Sequence, residues 1–236
     1  MCGRYALVEP VPEIARLFGV AVGDLDDWTE APARYNITPQ GSVLVVRARD
    51  GGRGASVMRW GLVPAWATDA AVGARMFNAR LEGVRERPAY RGAFARRRCL
   101  MPASAFYEWR RTGDGAGRRQ PFAIRRADRR PFALAGLWEG NGRVLPGTLL
   151  ESASVITTEA RGVVAKLHDR MPLILPEAVW EAWLDPATPA PAVDALARAA
   201  AAASGEAIIA YPVTPRMNSA RFEDPACLAK VADAAP

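Results

Sequence analysis

Polar and apolar positions along this 236-residue chain change period every ten residues or so. In residues 12–20 the apolar side chains Ile14, Leu17 and Phe18 fall at i, i+3 and i+4, with Glu13 and Arg16 beside them. That spacing predicts a short helix opening at a proline. Residues 23–33 are acidic, then proline-containing, and read as a loop. Residues 34–40 form a polar-aromatic segment ending in a turn. Ser42–Arg49 is β-branched and apolar and predicts a strand, followed by a glycine-rich turn at 51–54. Residues 57–62 return as a second strand carrying Trp60, and Pro64-Ala65-Trp66 leave it as a loop.

Residues 88–97 read as a helix with Tyr90 and Phe94 on one side. Arg96, Arg97 and Arg98 close it, where cations suit the helix dipole. The aromatic, apolar run 99–109 predicts one buried strand. A Gly- and Arg-rich loop follows at 111–120, then strands at 122–126 and 132–138 joined by a turn at 128–130. Residues 152–157 predict another strand, after which Thr158 caps a short helix reaching Leu167, with Gly162 against it. A helix at 176–184 turns Trp180 and Trp183 inward, and 186–191 is a linker. An Ala-rich helix at 192–203 rests on alanine propensity. A late strand at 208–213 and a polar loop at 215–225 complete the chain. Short strands mixed with short helices lack a βαβ rhythm, and no repeat or domain boundary is visible. The expectation is one α+β domain over residues 1–236, with a curved mixed or barrel-like sheet flanked by short helices.

Composition narrows the chemistry. No run approaches the ~18–20 apolar residues of a membrane span, and no secretory signal is visible. Three scattered cysteines and one histidine make a disulfide framework or a zinc site a poor fit, so no metal or cofactor is expected. These features suit a reducing cytoplasm, and a monomer is expected. The net charge of +6 is unevenly spread. Residues 80–130 hold 15 arginines against five acids, while the segments on either side are balanced or acidic. A concentrated arginine band is the footprint of a nucleic-acid surface, or else a solvated face of an arginine-rich protein.

A small set of residues carries candidate chemistry. Cys2 becomes N-terminal if Met1 is removed, and then bears an α-amine and a thiol on adjacent carbons. The amine can condense with an aldehyde and the thiol can close on the same carbon. Alone, Cys2 also reads as an ordinary second residue. Glu108 lies on the strand face opposite Tyr107 and Trp109; buried, its pKa rises toward neutrality, and exposed, it is a surface acid or an arginine partner. His168 is the one imidazole, a proton carrier near pH ~7 or an incidental residue. Asn78 and Arg80, two apart, point the same way on an extended segment and can grip one phosphate or backbone group. Arg34 and Asn36 share that spacing. Arg4 places a cation beside Cys2. Trp60, Trp66 and Trp109 can stack on unpaired bases or pack in a core, Trp66 being the one most exposed by its loop.

Several blocks together resemble the SRAP family, the abasic-site-processing proteins. They are Met1-Cys2-Gly3-Arg4-Tyr5, Arg34-Tyr35-Asn36-Ile37-Thr38-Pro39, Met58-Arg59-Trp60-Gly61-Leu62-Val63-Pro64 and Phe77-Asn78-Ala79-Arg80-Leu81-Glu82. Cys99-Leu100-Met101-Pro102, Phe106-Tyr107-Glu108-Trp109 and His168-Asp169-Arg170-Met171-Pro172 complete the set. They run in the family's order to residue 172; the last fifty or so residues match more loosely. The resemblance implies binding to single-stranded DNA that contains abasic sites. It implies a thiazolidine crosslink between Cys2 and the ring-opened sugar, formed through a Schiff base and shielding the lesion. Weak strand cleavage and self-processing as a peptidase are possible side activities. Cys2, Asn78, Glu108 and His168 match the family's catalytic positions. Arg4, Asn36, Trp66, Arg80, Arg85 and Arg170 are the expected DNA contacts. A thiol peptidase using Cys2 and a noncatalytic single-strand-binding module are the alternatives.

Overall fold

The computed structural model describes residues 2–21, 32–111 and 119–232. Met1 and all but the ends of the expected loops at 23–33 and 111–120 lie outside them. The first half of the chain contains β1 (Tyr5–Leu7), α1 (Val11–Phe18), β2 (Arg34–Ile37), β3 (Ser42–Arg49), β4 (Gly52–Trp60), β5 (Asn78–Arg80) and α2 (Arg91–Arg96). The second half adds β6 (Arg98–Ala103), β7 (Ala105–Arg111), β8 (Arg119–Arg126), β9 (Phe132–Leu145), β10 (Thr148–Glu159), β11 (Arg170–Pro172) and β12 (Ile174–Leu175). α3 (Trp180–Leu184), α4 (Ala190–Ala203) and β13 (Ile208–Pro212) follow.

The strands form two sheets. One runs β13-β8-β7-β1-β2. The other runs β11-β10-β4-β3-β6-β9-β12, and β9 pairs again with β10, so that β10, β4, β3, β6 and β9 close into a ring. Closure leaves those five strands without open edges. The expected barrel-like mixed sheet flanked by short helices is therefore present. The main core draws its residues from both sheets and from α1, α3 and α4. α1 buries Val11, Ile14, Ala15 and Phe18, and Phe18 stacks on Trp180 of α3 with ring centres 4.6 Å apart. Gly19, at φ 64°, ends that helix in the left-handed region that glycine enters without a Cβ penalty.

Four expectations change. The apolar run 99–109 is two strands, one in each sheet. At the break, the Ser104 amide donates to Ala6 O (2.8 Å), its hydroxyl accepts from the Val8 amide (2.8 Å), and that hydroxyl donates to Glu9. These bonds carry the chain from the ring to the second sheet. The helix expected after Thr158 is absent. β10 instead continues to Glu159, because Thr157, Thr158 and Glu159 pair with Pro172, Met171 and Arg170 of β11. Only a single 3-10 turn at Val164–Lys166 follows. The polar loop at 215–225 also holds a buried residue. Met217 joins Val213, Cys227, Ala6, Tyr107 and Ala123 in a second small core on the outer face of the second sheet. Residues 88–97 contribute a shorter helix than expected, α2, with Tyr90 just before it and Phe94 within it both buried.

Arg98, counted above in the basic band, is 1 % exposed. Its guanidinium donates to the carbonyl oxygens of Phe94, Ala95, Trp183 and Asp185, tying α2 to the end of α3. A planar fork can serve several acceptors at once; an ammonium cannot reach them all. Arg98→Lys is expected to lower the free energy of unfolding by on the order of 3 kcal/mol, since each buried carbonyl left unpaired costs about 1–3 kcal/mol. Urea denaturation measures this, and an unchanged midpoint would show that Arg98 braces nothing.

Candidate active site

Glu108 and Cys2 meet through strand pairing. β1 and β7 are antiparallel, with Tyr5 opposite Phe106, and the Tyr107 amide donates to Arg4 O at 3.0 Å. Continued one step toward the N-terminus, that register sets Gly3 opposite Glu108, with Cys2 next in line. β7 is covered on both faces. Phe106 packs in the main core, while Tyr107 faces the small core roofed by the C-terminal segment. Alternation puts Glu108 on the inner face with Phe106, and it is 3 % exposed. Burial raises its pKa to about 7, with the cationic amino terminus pulling it down and Asp169 pushing it up. Cys2 is fully buried. Burial, and then the charge of Glu108, push its thiol well above the usual range.

Asn78 and His168 arrive along β10. β5 pairs in parallel with β10, Asn78 opposite Val155 and Arg80 opposite Thr157. The Asn78 side-chain amide donates to Cys2 O at 2.7 Å. Its Oδ1 is buried with no hydrogen-bond partner among the described residues, and the Tyr90 hydroxyl donates to its backbone oxygen at 3.2 Å. Tyr5, Trp60 and Phe77 form an edge-to-face series, at 5.3 and 6.0 Å between ring centres, which packs the start of β1 beside the entry to β5. The Trp60 indole also donates to Phe77 O at 2.9 Å. His168 sits in the turn between β10 and β11. Its pKa is lowered by partial burial and then by the amino-terminal charge. Cys2 is thus joined to Asn78 by direct contact and to Glu108 by charge, while His168 and Glu108 share the influence of the amino terminus and of Asp169.

The expected DNA contacts divide. Arg80 and Arg85 are exposed, Arg85 3.5 Å from Asp194. Trp66 is 59 % exposed on a loop pinned by Asn141, whose amide donates to Pro64 O and Ala67 O at 2.7 and 2.9 Å. Arg170 is engaged at both terminal nitrogens by Glu82, at 2.8 and 3.0 Å, and also donates to Thr157 O. Arg4 donates to Asn36 Oδ1 and Met217 O and lies 5.6 Å from the centre of the Trp109 ring. Asn36 is buried, and its amide donates to Ser219 O and Phe222 O. Asn36 therefore clamps the C-terminal segment rather than facing solvent. Sequence reading missed Glu82, Asn141 and Tyr90 as supports. Glu82, four residues after Asn78 in a quoted block, carried the one available signal.

The chain is similar to known proteins over most of its length. The family model described as "SOS response associated peptidase (SRAP)" matches residues 1–220. The chain is 33 % identical over 222 residues to the abasic site processing protein YoaM of Bacillus subtilis, covering 93 % of each chain. It is 30 % identical over 186 residues to the abasic site processing protein YedK of Escherichia coli, covering 78 % of this chain and 79 % of that one. A crystal structure of a Bacteroides thetaiotaomicron protein superposes over 98 % of this chain and 100 % of its own with a TM-score of 0.84 at 21 % identity, a likeness of fold. The chain belongs to the SOS response associated peptidase (SRAP) family.

Proposed function

We propose that this protein processes abasic sites in single-stranded DNA by forming a covalent crosslink through Cys2 once Met1 is removed. One observation carries the reading: Asn78 holds the Cys2 carbonyl, and a buried carboxyl of pKa about 7 stands beside the same residue. The relatives named for abasic site processing support the substrate, and the exposed arginines Arg80 and Arg85 offer phosphate contacts.

The chemistry follows from the protonation states. The Cys2 thiol is held protonated, so the amine attacks first. Glu108 as carboxylate takes a proton from the α-ammonium, and the freed amine adds to the C1′ aldehyde. The protonated Glu108 then returns its proton to the carbinolamine hydroxyl, which leaves as water and gives the Schiff base. The thiol adds to that carbon while its proton passes to the Glu108 carboxylate, and the thiazolidine ring closes. A carboxyl near pKa 7 can give and take within one cycle. Asn78 fixes the nucleophile's backbone, so the amine and aldehyde meet without a search. A thiol peptidase would instead need an accessible, low-pKa thiolate; the burial of Cys2 disfavours that alternative. No helix among the described residues is long and apolar enough to cross a membrane.

Three outcomes are expected. Processed protein mixed with a single-stranded oligonucleotide containing one abasic site gives a denaturation-resistant band. Cys2→Ala and Met1-retaining protein do not, while Cys2→Ser gives an adduct seen only after borohydride trapping; a stable band from Cys2→Ala would overturn the reading. Glu108→Gln slows crosslinking about 10²–10⁴-fold. It also changes stability with pH. A carboxyl whose folded pKa is about 7 binds its proton more tightly folded than unfolded. It therefore favours folding at low pH, and this contribution is lost as pH rises from ~4.5 to ~7, by on the order of 3 kcal/mol. Glu108→Gln flattens that fall, as thermal melts at pH 5 and pH 8 would show. Finally, Arg80→Ala weakens single-strand binding and lowers the salt slope by roughly one phosphate contact. An unchanged slope would remove Arg80 from the interface.

A further inference from the structure

The contacts at His168 Nδ1 leave something for the reaction to use. The Arg170 amide donates to Nδ1 at 2.9 Å, and Asp169 Oδ1 lies 2.8 Å from the same nitrogen. One ring nitrogen cannot satisfy both. With a lone pair it accepts from the amide and the carboxylate finds no donor. With a proton it donates to the carboxylate and the amide loses its acceptor. Asp169 is 84 % exposed at its side chain, so burial does not hold it there. The backbone does: the Asp169 carbonyl accepts from the Ala160 amide at 2.9 Å, the His168 amide donates to Val164 O at 3.0 Å, and Arg170 opens β11 opposite Glu159.

We propose that Asp169 is a positioning residue for His168: it receives the Nδ1 proton when the imidazole is charged, while the Arg170 amide holds the neutral ring with its proton on Nε2. This rests on the proposed abasic-site chemistry for its place in turnover. The closed sugar of an abasic site is a hemiacetal. In opening it, the C1′–O4′ bond breaks, O4′ takes the Nε2 proton of the imidazolium, and the C1′ hydroxyl proton passes to Glu108 as carboxylate, which releases it to solvent before it deprotonates the α-ammonium. The C1′–O electron pair becomes the aldehyde carbonyl. The ring left behind is neutral with its proton still on Nδ1, facing Asp169, a form that lasts only until Nε2 takes up the next proton and the ring is charged again.

The charged groups acting on His168 are the amino terminus and Arg170, which disfavour its protonation, and Asp169, which favours it. Asp169 also opposes ionisation of Glu108 on β7. Removing its charge moves both groups in one direction, so both limbs of the crosslinking pH profile shift acidic together.

His168 is the only histidine in the chain, so its titration is read without assignment. Full-length unsubstituted protein, Asp169→Asn and Asp169→Glu are compared by NMR of the imidazole ¹H and ¹⁵N resonances, and by pH profiles of crosslinking. Asp169→Asn is expected to lower the His168 pKa by about half a unit, to move the whole profile to lower pH, and to turn the Nδ1 shift toward a lone-pair nitrogen. Asp169→Glu stays near the unsubstituted protein. An unchanged His168 pKa in Asp169→Asn overturns the proposal. So does a crosslinking rate that falls equally at every pH, because that is what a merely structural residue would give. If the unsubstituted protein forms no crosslink, the abasic-site reading fails, and the NMR comparison alone decides whether Asp169 positions His168.

Discussion

A carboxyl group held out of water beside the second residue of the chain is the constraint on which the rest of this structure depends. Burying Glu108 costs stability whenever it is ionised. The fold accepts that cost by covering β7 on both sides. The inner face looks onto the main core through Phe106, and the outer face is roofed by Val213, Met217 and Cys227 from the C-terminal segment. Asn36 and Arg4 fasten that segment down with hydrogen bonds to Ser219, Phe222 and Met217. Residues first read as DNA contacts thus contribute one step removed: they keep the roof on the strand that keeps Glu108 dry.

The same logic explains the second sheet element at the site. β10 is antiparallel to β9 and to β11 and parallel to β4 and β5. Its C-terminal half therefore gathers Asn78 and Arg80 from one neighbour and leads directly into the turn bearing His168. The amino-terminal strand then needs only to lie against β7 for Cys2 to reach Asn78. Two sheets, in contact where Tyr5 packs on Trp60, set Cys2 from one beside Asn78 from the other.

Much of this was legible in the residues, and the parts that were not share a cause. Period-2 alternation placed Glu108 opposite Tyr107 and Trp109, and the helical spacing of Ile14 and Phe18 gave α1. Both are local signals. The break at Ser104 was hidden because residues 99–107 are apolar but for Ser104 itself; its bonds to Ala6 and Val8, distant in the sequence, interrupt the run. Thr158 looked like a helix cap because nothing in its neighbourhood announces that Met171 will pair with it. Arg98 was counted with its neighbours as surface charge, since an arginine beside two others gives no sign that backbone carbonyls will surround it. Cys2, Asn78, Glu108 and His168 could be proposed as a set from the family blocks, but the parallel pairing of β5 with β10 that brings Asn78 to Cys2 has no sequence signature of its own.

The central claim is that the reactive amine belongs to Cys2. The chain has only two lysines, Lys166 and Lys230, so competing amines are few. Proteolysis and mass spectrometry of the adduct formed with abasic single-stranded DNA, without borohydride, locates the modified residue. The predicted result is a peptide beginning at Cys2, heavier by the sugar-bearing DNA remnant less one water, with the thiol no longer alkylatable. An adduct on Lys166 or Lys230, or a Cys2 peptide whose thiol still alkylates, would contradict it.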